Sequence, residues 1–125
     1  MPSRCNAIRI VVVDDDMSFR SGLAANLADD GHAVSEYGDP QDVPPDVIRT
    51  ADIVLTDFQM GAINGLTFAD RVHALHPEAA IVLTTAYWTV EIETAVAARP
   101  FLQLCRKPVD YDELHALVHE LAPHR

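Results

Sequence analysis

The chain has 125 residues, 49% of them apolar and 22% charged, enough for one packed domain and too apolar for a disordered tail. Nineteen acidic against nine basic side chains give a net charge of −10, which repels polyanions and argues against nucleic acid or an anionic membrane surface as a direct partner. No apolar run approaches the about 18 residues of a membrane span and no secretory signal opens the chain, so a soluble, cytoplasmic protein is expected.

In chain order, an apolar stretch at 8–13 reads as a first strand, and Phe19, Leu23 and Leu27 after Ser18 follow with helical spacing. Residues 33–37 mix apolar and polar positions, as a strand at a sheet edge does. Pro40, Pro44 and Pro45 then leave room for only one or two helical turns around 46–50. A second buried strand is predicted at 51–55, a helix through Leu66, Ala69, Val72 and Leu75, and a third buried strand at 79–83. A second edge strand at 101–105 and a helix carrying Leu114, Leu117, Val118 and Leu121 complete the pattern. Five alternating strand and helix units imply an α/β fold: a flavodoxin-like, doubly wound parallel sheet in the order 2-1-3-4-5, with helices on both faces. One domain over residues 1–125 is expected, without a visible output domain.

In such a sheet the functional crevice lies beyond the carboxyl ends of the central strands. The residues there are Asp14, Asp15 and Asp16 after the first strand, Thr56 and Asp57 after the third, Thr84 and Thr85 after the fourth, and Arg106, Lys107 and Pro108 after the fifth. Carboxylates crowded into one partly desolvated crevice repel, and a hard divalent cation with oxygen ligands relieves them. Mg²⁺ is the natural candidate, with Mn²⁺ as a substitute. Mg²⁺ and the Lys107 ammonium would together balance Asp14, Asp15 and Asp57. Asp57 is then placed as a nucleophile toward phosphorus, with Thr85 and Lys107 holding phosphoryl oxygens.

These residues give the chain a resemblance, from Ile8 to Leu121, to the receiver domains of bacterial two-component response regulators. It rests on Val11 to Asp16 with Ser18, on Asp57, Phe58, Gln59, Met60 followed by Asn64, Gly65, Leu66, on Thr85 and Ala86, and on Lys107 and Pro108. The resemblance implies that Asp57 is the phosphoacceptor, that Asp15, Asp57 and the Gln59 backbone carbonyl bind Mg²⁺, and that Asp14 acts through water. It also implies a sensing role for Thr85 and Lys107 and a cis Lys107–Pro108 peptide. The implied donor is a sensor histidine kinase or a histidine phosphotransfer protein, met through Phe19, Leu23 and Pro108. The output is a downstream protein or a missing output domain, with a possible homodimer through the fourth helix, fifth strand and fifth helix. The chain is expected to be no enzyme beyond stoichiometric self-phosphorylation and slow self-dephosphorylation, the latter tuned by Gln59 and Tyr87.

Several positions depart from the family. Gly61 stands where a proline is usual, Leu104 replaces the customary aromatic of the fifth strand, and Ala98, Arg99, Pro100 and Phe101 replace a Gly-Ala turn. Tyr87, Trp88 and Tyr111 are candidate substitutes for the aromatic. Leu104 motivates one rival reading, a pseudo-receiver that signals by contact without phosphorylation. Asp14, Asp16 and Ser18 loosely imitate the signature of a Mg²⁺-dependent phosphohydrolase, a second rival, although no acidic pair follows Lys107 at the end of another strand. Asp16 reads as a surface residue near the first helix. His115 and His119, and His73 and His76, have spacings that suit a metal, yet neither pair has an evident third ligand, and both read as exposed helix histidines. Cys5 and Cys105 read as reduced thiols.

Overall fold

The computed structural model describes residues 8–58, 64–86 and 88–122. Five parallel strands, β1 (Arg9–Val13), β2 (Ala33–Tyr37), β3 (Ile53–Asp57), β4 (Ala80–Thr85) and β5 (Leu102–Arg106), stand in the order β2-β1-β3-β4-β5. The helices are α1 (Met17–Asp29), α2 (Pro45–Thr50), α3 (Gly65–Leu75), α4 (Val90–Ala97) and α5 (Tyr111–Leu121), with a 3₁₀ turn at Pro40–Asp42. The expected topology is the observed one, and β2 and β5 are its edges.

The strand pleat sorts the apolar residues into two cores. Val11, Val13, Val54, Ile81 and Leu83 face α2 and α3. Ile10, Val12, Ile53, Leu55 and Val82 face Leu23 and Leu27 of α1 and Leu114 and Val118 of α5. Both faces of the central strands are covered, which is why the sequence reads there as unbroken apolar blocks rather than as an alternation.

The strands end later than their apolar blocks do. Asp57 pairs in register with Thr84, and Thr85 with Arg106, so Thr56, Asp57, Thr84 and Thr85 are strand residues and all are buried. The buried threonine hydroxyls are satisfied by the sheet's own backbone, Thr56 Oγ1 donating to the Asp57 carbonyl at 3.1 Å and Thr84 Oγ1 to the Thr56 carbonyl at 3.4 Å.

The starts of α1, α3, α4 and α5 are fixed by side-chain caps, while α2 begins on Pro44 and Pro45 without one. Asp16 accepts from the Phe19 amide at 3.1 Å, Asn64 from Thr67, Thr89 from Ile92, and Asp110 from Asp112 and Glu113. The surface role expected of Asp16 is thus the N-cap of α1. Asp16→Ala is expected to cost about 1 kcal/mol, read as a fall of about 3–5 °C in melting temperature.

The unusual turn before β5 is anchored to α3. Arg99 grips Asp70 through Nε at 2.8 Å and Nη2 at 3.0 Å, and gives Nη1 to the Ala95 carbonyl at 2.7 Å. The hydrogen bond from Arg99 holds the Asp70 carboxyl below its usual range. Phe101 stacks on His73 with ring centroids 3.9 Å apart. His73 is therefore half-buried rather than exposed, because Phe101 of the turn folds back onto it, and His76, the C-cap of α3, is half-buried as well. Leu23, expected at a docking surface, points into the core.

Candidate functional site

The carboxyl ends of β1, β3 and β5 bring the predicted groups to one place. Asp14 is 2% exposed and Asp57 9%, while Asp15 projects to solvent. One carboxylate oxygen from each of Asp14, Asp15 and Asp57 lies within 4.8 Å of the others. Lys107 reaches across, its Nζ 2.9 Å from Asp14 Oδ2 and 3.2 Å from Asp57 Oδ1.

The backbone holds these groups in place. The Asp14 amide donates to the Tyr37 carbonyl at 3.1 Å, the Phe58 amide to the Thr84 carbonyl at 3.0 Å, and the Lys107 amide to the Thr85 carbonyl at 2.8 Å. The Lys107–Pro108 peptide is cis. Asp14 Oδ1 accepts the Asp16 amide at 2.9 Å, which fixes the turn between β1 and α1.

Charge is concentrated where water is scarce. Burial pushes the Asp57 carboxyl above its ordinary range and the neighbouring Asp14 charge adds to the push, while Lys107 pulls back. Burial alone would lower the Lys107 ammonium, but its bonds and charge pairing with Asp14 and Asp57 outweigh that and raise it. The site is therefore two nearly buried carboxylates sharing a single ammonium, with one exposed carboxylate beside them. Three oxygen donors of hard character, this close together and short of positive charge, suit a small divalent cation.

Thr85 lies in the same crevice, buried at the end of β4 beside β5. Gln59, the expected carbonyl ligand, and Tyr87, the expected shield, lie outside the described residues, as do Met60, Gly61 and Cys5. Leu104 is half-buried in register with Leu83, and Trp88 gives its Nε1–H to Glu93 at 2.6 Å beneath the Arg106 guanidinium. Tyr111 is exposed. Cys105 is half-buried, its thiol pushed up by burial and then by Glu113.

Two supporting contacts escaped the sequence reading, in which Phe19 is a residue of the first helix and a kinase contact. The Phe19 ring sits 4.5 Å from Lys107 Nζ, a cation–π contact that keeps the ammonium over the crevice. Arg20 gives Nη1 to the Asp14 carbonyl at 2.9 Å and Nε to Glu36 at 2.9 Å, tying α1 to the end of β1 and to β2. Phe19 and Lys107 are far apart in sequence, and the Arg20 contacts cross from α1 to the end of β1 and to β2, so no local pattern marks them.

Fold and site together define the class, and the response regulator receiver domain model matches residues 10–119. The chain belongs to that family and is a receiver domain of the two-component response regulators. The transcriptional regulatory protein ZraR of Escherichia coli O157:H7 is 31% identical over 118 residues, covering 94% of this chain and 27% of ZraR. The DNA-binding transcriptional regulator NtrC of Azospirillum brasilense is 31% identical over 114 residues, covering 90% of this chain and 24% of NtrC. The chain thus spans about a quarter of the length of these relatives. A CheY-like receiver domain from Methanospirillum hungatei JF-1 superposes with a TM-score of 0.81 at 21% identity, over 92% of this chain and 94% of its own. A response regulator of Burkholderia pseudomallei, solved with a phosphorylated aspartic acid and a calcium ion, gives 0.75 at 23% identity, over 87% of this chain and 65% of its own. At these identities the superpositions speak for the fold. Among the described residues no helix is long and apolar enough to cross a membrane.

Proposed function

We propose that the domain takes a phosphoryl group from a phosphohistidine of a sensor kinase or phosphotransfer protein onto Asp57, and that the product changes its output surface. The observation that carries this reading is the bridging of Asp14 and Asp57 by Lys107 beside a third carboxylate. An Asp57 oxygen attacks phosphorus, the P–N bond of the donor breaks, and the imidazole leaves with its electron pair. The attacking and transferred groups are both anionic, so positioning and charge neutralisation are the main requirements.

Lys107, set between Asp14 and Asp57, can follow the added charge and bind a phosphoryl oxygen, and the Thr85 hydroxyl is assigned a second one. Asp14, Asp15 and Asp57, with the Gln59 carbonyl, would hold Mg²⁺ or Mn²⁺. When bound, that cation supplies the positive charge that screens the approach of two anions. The Burkholderia relative, with its phosphorylated aspartate and calcium ion, supports the same assignment.

The transfer is stoichiometric rather than a multiple-turnover reaction, with slow self-dephosphorylation. The setting is cytoplasmic, and the downstream target is a protein or an output domain, met through α4, β5 and α5, which can also pair two copies. Incubation with acetyl phosphate and Mg²⁺ is expected to add one phosphoryl mass to the wild type and none to Asp57→Ala. Chelation of Mg²⁺ is expected to abolish the adduct, and Trp88 fluorescence to change with it. An adduct that persists in Asp57→Ala would overturn the assignment.

A further inference from the structure

At the end of the sheet opposite the acidic crevice, three histidines converge on one carboxylate. Asp30 follows the last turn of α1 as its C-cap. Its Oδ2 lies 3.3 Å from His32 Nε2, 3.2 Å from His115 Nδ1 and 3.8 Å from His119 Nε2. His115 and His119 stand one turn apart on the same face of α5, and His32 precedes β2. The third ligand that the helix pair lacks in sequence comes from the other end of the chain, and a fourth comes with it. His115 is accordingly half-buried rather than exposed.

Two features point to a ligand rather than a chance gathering of side chains. The His32 side chain is 6% exposed, its Nδ1 has no hydrogen-bond partner, and its Nε2 has only the 3.3 Å ion-pair contact with Asp30, without a hydrogen bond of good geometry. A buried imidazole left in that state is uncommon and calls for a missing partner. His115 has its Nε2 against Asn26 Oδ1. An Nε2–H given to Asn26 leaves the Nδ1 lone pair facing the Asp30 carboxylate, an arrangement that a cation between them satisfies. Such an outer partner fixing the tautomer of a ligating histidine is the usual support of a metal site.

We propose that Asp30, His32, His115 and His119 bind a divalent transition-metal ion of the zinc class, clamping the last turn of α5 to the turn between α1 and β2. Three imidazoles and one carboxylate are the donor set such ions favour, whereas Mg²⁺ prefers oxygen alone. The two ends of the sheet would thus sort two classes of cation by donor chemistry. Among the described residues the acidic trio is the one group whose ligand atoms already lie within 4.8 Å of one another, so the histidine site is open as it stands. An ion at the place now held by Asp30 Oδ2 would draw each nitrogen inward by about 1–2 Å to reach the usual bond length. The carboxylate would step back to become the fourth ligand, and the exposed side chain of His119 is free to turn in.

The test is calorimetric titration of chelator-stripped protein, the full chain, with ZnCl₂ in excess Mg²⁺, with melting temperature followed in parallel. One equivalent of Zn²⁺ is expected to bind and to raise the melting temperature. Loss of a ligand in His115→Ala or His119→Ala is expected to weaken binding by more than the about 10–100-fold that loss of an outer partner costs. Asp57→Asn is expected to leave Zn²⁺ binding unchanged, which separates this site from the acidic crevice. Absence of saturable binding, or an affinity unaltered in the His115→Ala/His119→Ala double variant, overturns the proposal. Either result leaves the assignment of Asp57 standing.

Discussion

Lys107→Met is expected to lower the melting temperature by about 10 °C at pH 7 in the absence of divalent cations, and by much less near pH 4. Methionine keeps the length of the side chain against Phe19, so the change isolates the charge. Without the ammonium, Asp14 and Asp57, 2% and 9% exposed, face each other as nearly buried anions. Breaking such a pair by removing one partner costs about 3 kcal/mol, and each kcal/mol is worth about 3–5 °C at this chain length.

The pH window follows from the directions of the shifts. The Lys107 ammonium is raised above the ordinary lysine value, so its contribution is complete at neutral pH and is lost only in the alkaline range above that value. The Asp57 carboxyl is raised by burial and by Asp14, and losing Lys107 raises it further. The folded variant then binds protons that the unfolded chain releases. Its deficit is full above the folded-state value and shrinks as the pH falls toward the ordinary carboxylate range. Melting curves of wild type and variant from pH 4 to 8 provide the measurement. A deficit independent of pH would assign the effect to packing on Phe19 instead. Added Mg²⁺ is expected to restore part of the loss at neutral pH.

That crevice was legible in the sequence because parallel strands buried on both faces announce themselves as apolar blocks, and the residue where each block stops marks a corner of the site. Asp14 directly follows the first block, whereas Asp57, Thr85 and Lys107 each stand one residue beyond the first polar position, and Thr85 is preferred to Thr84 only by the resemblance to receiver domains. What the blocks do not mark is where backbone pairing ends, so Asp57 and Thr85 are strand residues rather than the loop residues their polarity suggests. Contacts between side chains far apart in sequence were also hidden. Arg20 on Glu36, Phe19 under Lys107 and Arg99 on Asp70 each have the composition of an ordinary helix or turn residue. The histidines show the limit most clearly. The spacing of His115 and His119 is visible, but Asp30 and His32 join them only because α1 and α5 cover the same face of the sheet.

Gly65→Ala is expected to be the most damaging change of a single methyl group among the described glycines. Gly65 opens α3 where the helix meets the end of β3, and its amide donates to the Phe58 carbonyl at 2.7 Å. A Cβ there would stand 2.3 Å from the Asp57 carbonyl oxygen, 2.6 Å from Leu83 Cδ1 and 3.0 Å from Phe58 Cα. Two of these neighbours are backbone atoms of the segment that carries Asp57. Phe68, Ala69 and Val72 of α3 are fully buried one to two turns further on, so the helix cannot lift away without loosening the core. The cost is expected at the upper end of overpacking, about 3 kcal/mol, or about 10–15 °C, with slower phosphorylation even where the domain remains folded. The other glycines calibrate the mechanism. Gly31 has φ of +95° with nothing within 4 Å of the added methyl, so Gly31→Ala is expected to cost about 1–2 kcal/mol through backbone strain alone. Gly22 lies exposed within α1, its added methyl meeting only the Tyr111 hydroxyl at 3.8 Å, so Gly22→Ala is expected to stabilise by up to about 1 kcal/mol. Thermal unfolding of the three variants should therefore rank Gly22→Ala above wild type, then Gly31→Ala, then Gly65→Ala. A Gly65→Ala protein as stable as wild type would mean that the close approach of α3 to Asp57 is not what holds the acceptor strand in place.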